Sequence, residues 1–154
     1  MSLKGVIVMK KILCLLVLLL SLTATCAAFN PPQSPRWYWI GSDAHYGAWI
    51  DTATARFYIG SKEYGHSNHQ CALVWMEWYN ADKDEYVISH DEYDLDCRMV
   101  RILHTTLYDS QNRVIDSYNR SYADFEDIIP GSNGEAVYDA VVMLMETREN
   151  ARRL

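Results

Sequence analysis

Apolar positions along this chain recur in short, largely period-two runs between residues 36 and 122, and only the C-terminal stretch changes to helical spacing. Arg36 to Ile40 and Tyr46 to Asp51 are short aromatic runs split by a turn-like Gly41-Ser42-Asp43, and they predict a first pair of strands. Thr52 to Gly60 continues as a bend and a third strand through Phe57 and Ile59, and the polar, Gly-punctuated Ser61 to Gln70 reads as a loop. Cys71 to Tyr79 (CALVWMEWY) is apolar on both faces, the mark of a strand central to its sheet. Asn80 to Glu85 is a hairpin connection. In Tyr86 to Cys97 the second half alternates, with Tyr93, Leu95 and Cys97 on one face and Glu92, Asp94, Asp96 and Arg98 on the other. Arg98 to Tyr108 and Val114 to Tyr122 form a further hairpin about Asp109-Ser110-Gln111-Asn112.

The last element begins at Ser132, whose spacing to Glu135 is that of a capping box. Val137, Ala140, Val141 and Leu144 give one apolar stripe, and Arg148, Arg152 and Arg153 gather near the negative end of the helix dipole. The pattern predicts an α+β fold: a single antiparallel sheet of about five to seven strands with one C-terminal helix packed on one face.

The first residues change the picture of where this domain works. Lys10 and Lys11 precede an apolar run from Ile12 to Leu22, and small residues follow to Cys26-Ala27-Ala28. That is the layout of a secretory signal peptide, and the run is too short to span a bilayer, which needs about twenty residues. Residues 1–28 are read as the signal, with Met9 a better start than Met1. Residues 29–35 form a Pro-rich tether, and residues 36–154 a single domain. Cleavage is expected after Ala28. The alternative, a lipid anchor at Cys26, has its leucine four residues ahead rather than three and Thr25 where a smaller residue is usual.

The whole chain has formal net charge −6; loss of Lys4, Lys10 and Lys11 with the signal leaves eleven basic against twenty acidic residues, a net −9. Such a surface argues against nucleic acid and anionic lipid as partners. Cys71 and Cys97 remain in an oxidising compartment, where a bridge between them would add about 3 to 4 kcal/mol in the chain-entropy model. A hairpin centred between residues 82 and 83 sets Cys71 opposite residue 94 rather than 97, so the bridge and two free thiols both stand open.

Little in the chain carries chemistry. His66, His69 and Cys71 are the best local metal grouping, but a polar loop accounts for them as well, and no metal or cofactor is expected. The tract Asp82, Asp84, Glu85, Asp91, Glu92, Asp94 and Asp96 lacks calcium-loop spacing and is read as a solvated strand face. No G-x-S-x-G, C-x-x-C or H-E-x-x-H occurs, and no enzyme activity is expected. The aromatics remain: Trp37, Trp39 and Trp75 either fill the sheet or form a ligand-facing cluster.

Taken together, W-x-W-I at Trp37 with Ile50-Asp51-Thr52, Val74-Trp75, Leu95-Asp96-Cys97, Arg101-Ile102-Leu103 and Ile129-Pro130-Gly131-Ser132 resemble the surface-adhesin protein E family of small exported bacterial domains. The likeness runs from Trp37 to about Val142. It implies an antiparallel sheet with a C-terminal helix, a place at the cell envelope, and adhesion to host or matrix proteins. The family pattern ties its strand cysteine, here Cys97, to a cysteine in the terminal helix. This helix has none, which leaves Cys97 to pair with Cys71 or stay free. The expectation is an exported periplasmic, cell-surface or secreted binding protein with a protein partner. The alternative is a periplasmic housekeeping or inhibitor domain acting on an envelope enzyme.

Overall fold

The computed structural model describes residues 36–60, 67–120 and 123–153. The signal segment 1–28, Cys26, the tether 29–35 and His66 lie outside the described residues. Eight strands form one antiparallel sheet: β1 (Trp37–Ser42), β2 (Tyr46–Asp51), β3 (Arg56–Ile59), β4 (Gln70–Asn80), β5 (Glu85–Asp94), β6 (Met99–Asp109), β7 (Val114–Asn119) and β8 (Glu126–Asp127). One helix, α1 (Asn133–Arg152), follows. The α+β architecture is the one the pattern predicts. The two-residue β8 is too short to leave a periodic trace.

The apolar strand β4 is central. One of its edges pairs with β5 along its whole length, from Cys71 opposite Asp94 to Asn80 opposite Glu85, so the hairpin is centred between residues 82 and 83. The other edge is shared by β2, on Met76 to Asn80, and β3, on Gln70 to Leu73. The bend between β2 and β3 is fixed by the fully buried carboxylate of Asp51, which pairs with the Arg36 guanidinium and accepts from the Thr54 hydroxyl (2.7 Å) and the Ala53 N–H (3.0 Å). This accounts for an acid ending the aromatic run Trp49-Ile50-Asp51. Beyond β5 the sheet continues through β6 to β7, with bulges at His90/Asp91 and Leu107/Tyr108.

Strand alternation sends Ile50, Ala72, Val74, Met76 and Tyr93 to the face that α1 covers, where they meet Val137, Tyr138 and Val141. The helix thus buries the predicted stripe, with Leu144 and Met145 packed at its margin. Two polar ties fix its ends. The Glu135 N–H donates to Ser132 Oγ (3.3 Å), while the Glu135 carboxylate accepts from Gly131 N–H (2.8 Å) and Arg98 (2.5 Å). The returning arm of the capping box therefore reaches one residue further back than its usual target, since the Ser132 N–H already bonds Ile129 O (3.2 Å). Toward the C-terminal end, Arg148 donates to the backbone carbonyls of Ala55 (2.6 Å) and Thr52, and lies over the Phe57 ring. No helix of the described residues is long and apolar enough to cross a membrane.

Candidate functional site

The positions that alternate with the core face point away from the helix. On β4 they are Cys71, Leu73, Trp75, Glu77 and Tyr79; the register sets Trp49 of β2 beside Glu77, and Trp39 of β1 beside Trp49. Trp37 shares this parity with Trp39, so Trp37, Trp39 and Trp75 all belong to the face opposite α1. Trp39 is 56 % exposed, whereas Trp49 is buried at 4 %. Trp75 is half-buried and stacks flat on His90 of β5 (centroids 4.3 Å, 3° between planes), with the His104 ring edge-on at 6.1 Å. Further along, Tyr86 stacks on Tyr108 (4.8 Å, 5°), and the Tyr79 hydroxyl is tethered to Asp84 (2.7 Å). Among the described residues there is one helix, and it lies on the other side of the sheet.

Glu77 sits within this aromatic surface, between Trp49 on one strand and Ile88 on the other. Burial alone raises its pKa to about 7, with no charge or hydrogen bond working in either direction. His90 is driven the other way, its pKa lowered first by burial and then by His104 and Arg56, so the imidazole under Trp75 is neutral at pH 7. A cation brought to this desolvated carboxyl would supply the counter-charge it lacks.

At the other end of β4 and β5 the same face becomes polar, and here the reading of a solvated acidic face fails for Glu92 and Asp94, while Asp82, Asp84 and Asp96 are exposed. Glu92 is buried, held by the Tyr58 hydroxyl on one side and Arg101 on the other (Nε to Oε2, 2.7 Å), and Arg101 stacks over Phe125. Asp94 is fully buried: Oδ1 accepts from the N–H groups of Asp96 (3.1 Å) and Cys97 (2.9 Å), and Oδ2 lies 2.7 Å from His69 Nδ1. Alternation placed these acids on one face correctly. It could not show that Tyr58, Arg101 and the 95–98 turn would close over them. Asp91 has the opposite parity, is 4 % exposed with its Oδ1 unpartnered, and is raised to about 7 by burial, with Ser89 pulling weakly downward.

Cys71 and Cys97 are free thiols in this structure, the first buried and the second exposed. Because β5 ends at Asp94, Cys97 belongs to a turn rather than to a strand face; the turn, with Arg98 at φ +55°, brings its sulfur to 3.5 Å from His69 Nδ1. His69 is therefore grouped with Asp94 and Cys97, and not with the Cys71 thiol, which faces the His69 carbonyl at 3.7 Å. The sulfur and the carboxylate share a single ring nitrogen, so the imidazole cannot relay a proton from one to the other. Carboxylates crowd the site, and the thiol pKa is raised by burial and then by Asp94 and Asp96, the reverse of what a nucleophilic cysteine needs. His45 lies elsewhere, paired with Asp82 on the surface (2.9 Å).

Two of these groups have signals in the sequence. Glu77 is the one acid inside the most apolar strand, and the hairpin register places Asp94 against Cys71. The approach of Cys97 depends on where β5 stops, which periodicity does not set. Compared with family models, curated proteins and solved structures, the chain finds no match.

Proposed function

We propose that this chain is an exported binding protein of the cell envelope, an adhesin-like domain that holds a protein partner on the sheet face opposite its helix. The observation that carries the reading is Glu77: a carboxyl desolvated with no counter-charge, on a sheet face that also carries the exposed ring of Trp39 and the half-buried ring of Trp75. A lysine or arginine side chain supplied by a partner fits that arrangement, its stem on the rings and its charge at the carboxylate. The acidic balance of the chain favours the same sign of partner. Export is supported by the Lys10-Lys11 and Ile12–Leu22 pattern, and the family resemblance by the ordered motifs from Trp37 onward.

The test is a binding screen of the purified protein against envelope and host-matrix proteins, followed by variants on both faces. Saturable binding is expected. Trp39→Ala and Glu77→Gln should each weaken it by about fivefold or more, the effect of losing an interface residue worth about 1 kcal/mol. Asp139→Asn, on the helix, should leave it unchanged. A screen without saturable binding, or a partner bound equally by both face variants, rejects the reading. Protease treatment of intact cells would separate surface display, which exposes the domain to cleavage, from a periplasmic location, which spares it.

A further inference from the structure

We propose that His69, Asp94 and Cys97 form a zinc site, with His69 Nδ1, Asp94 Oδ2 and Cys97 Sγ as three ligands and a fourth position open to solvent. The three atoms lie within 4.8 Å of one another. Ordinary Zn–S and Zn–N bonds at a tetrahedral angle set sulfur and nitrogen about 3.5 Å apart, and Cys97 Sγ lies 3.5 Å from His69 Nδ1. The same geometry asks for about 3.3 Å between nitrogen and oxygen. The 2.7 Å hydrogen bond from His69 to Asp94 would therefore open slightly as the shared proton gives way to the ion.

The ligands are held in place before any ion arrives. Asp94 is fully buried, and its other oxygen is fixed by the amides of Asp96 and Cys97, the turn that carries the sulfur. His69 is positioned through its backbone, whose carbonyl accepts from Gly60 N–H (2.8 Å). Its neighbour Gln70 is clipped to the same turn, N–H to Asp96 Oδ2 at 2.8 Å and carbonyl to Leu95 N–H at 2.8 Å. A thiol among carboxylates lacks positive charge, and a divalent ion supplies it; one sulfur, one nitrogen and one oxygen are the mixed donors that zinc accepts. The exposure of Cys97 leaves room for water or a partner's side chain at the fourth position. The site is independent of the cation-receptor reading of Glu77.

Cobalt(II) titration of the reduced protein, with zinc competition, tests this assignment. One ion per chain is expected, with a thiolate-to-cobalt charge-transfer band that zinc abolishes. Cys97→Ser should remove the band, and His69→Ala should weaken binding by about tenfold or more, since losing even a residue that only orients a metal ligand costs about that much. Cys71→Ser and His45→Ala should bind as the parent does, and melting curves would confirm that each variant is folded. No charge-transfer band in the parent, a band that survives Cys97→Ser, one lost in Cys71→Ser, or unchanged affinity in His69→Ala would each overturn the site. A second readout uses the thiol itself: zinc should slow alkylation of Cys97, and an equal rate with zinc and with chelator counts against it.

Discussion

Glu77→Gln isolates the cost of the unpaired carboxyl on the sheet face. In the fold this group keeps its proton up to about pH 7, while in the unfolded chain a glutamate releases it near 4.3. Below about pH 4 both states are protonated and nothing is lost. As pH rises toward 7 the unfolded chain ionises first, so stability falls through that window and then levels off. The full interval corresponds to about 3.7 kcal/mol; water reaches this half-buried group, which reduces the figure to about 1–2 kcal/mol. The glutamine variant should match the parent at pH 4 and exceed it by that amount at pH 8, or roughly 4–8 °C in melting temperature for a domain of this size. Urea or thermal unfolding of both proteins at pH 4, 6 and 8 measures it. The pH dependence of Asp91 is common to both and cancels in the difference. A difference independent of pH would refute the reasoning, because it means the carboxyl ionises alike in folded and unfolded chains, and a glutamine variant weaker at pH 8 would refute it by showing that the carboxylate already has a favourable partner.

Three further substitutions probe the covered face and its ties. Asp91→Asn removes a buried acid raised to about 7 with an unpartnered oxygen; by the same sign it should gain about 2–3 kcal/mol at pH 8 and little at pH 4 in urea unfolding. Val141 is fully buried between α1 and the sheet. Val141→Ala should cost about 1–3 kcal/mol, and Val141→Asp should abolish the cooperative melt, which an unchanged melting temperature would contradict. Arg148→Ala strands the carbonyls of Ala55 and Thr52 and should cost about 1–3 kcal/mol in urea unfolding. Arg148→Lys should recover only part of that, since one ammonium cannot reproduce a two-pronged guanidinium.

The residues that told most were those whose environment is set by neighbours along the chain. Val137, Ala140 and Val141 repeat at helical spacing, and the structure buries all three. CALVWMEWY is apolar on both faces because it is paired on both edges and lies between the helix and an aromatic surface. The hairpin register followed from counting outward from Asp82-Lys83. The chain is less legible where a residue's surroundings come from elsewhere in the sequence. Glu92 and Asp94 look like solvent-facing acids until Tyr58, from β3, and Arg101, from β6, come to Glu92, and His69 and the 95–98 turn come to Asp94. Trp37, Trp39 and Trp75 share a face by strand parity, but the pairing of β2 between β1 and β4 is what sets Trp39 in line with Trp49 and Glu77, two strands from Trp75.

Among the described residues one helix covers one face of the sheet, and the opposite face is held by contacts among its own side chains. The outward residues of β5 show how: Asp94 is hydrogen-bonded by His69 and the turn, Glu92 by Tyr58 and Arg101, His90 lies under Trp75, and Tyr86 lies against Tyr108. Each polar group along this row has a partner, and each ring has another ring. Glu77, one strand away, breaks that rule, since burial is the whole cause of its shift. A carboxyl that destabilises the free domain at neutral pH is a cost without return in the isolated molecule. On the proposed function the return lies in a complex, because a ligand that brings a cation to Glu77 binds the folded state alone and recovers the lost stability by mass action.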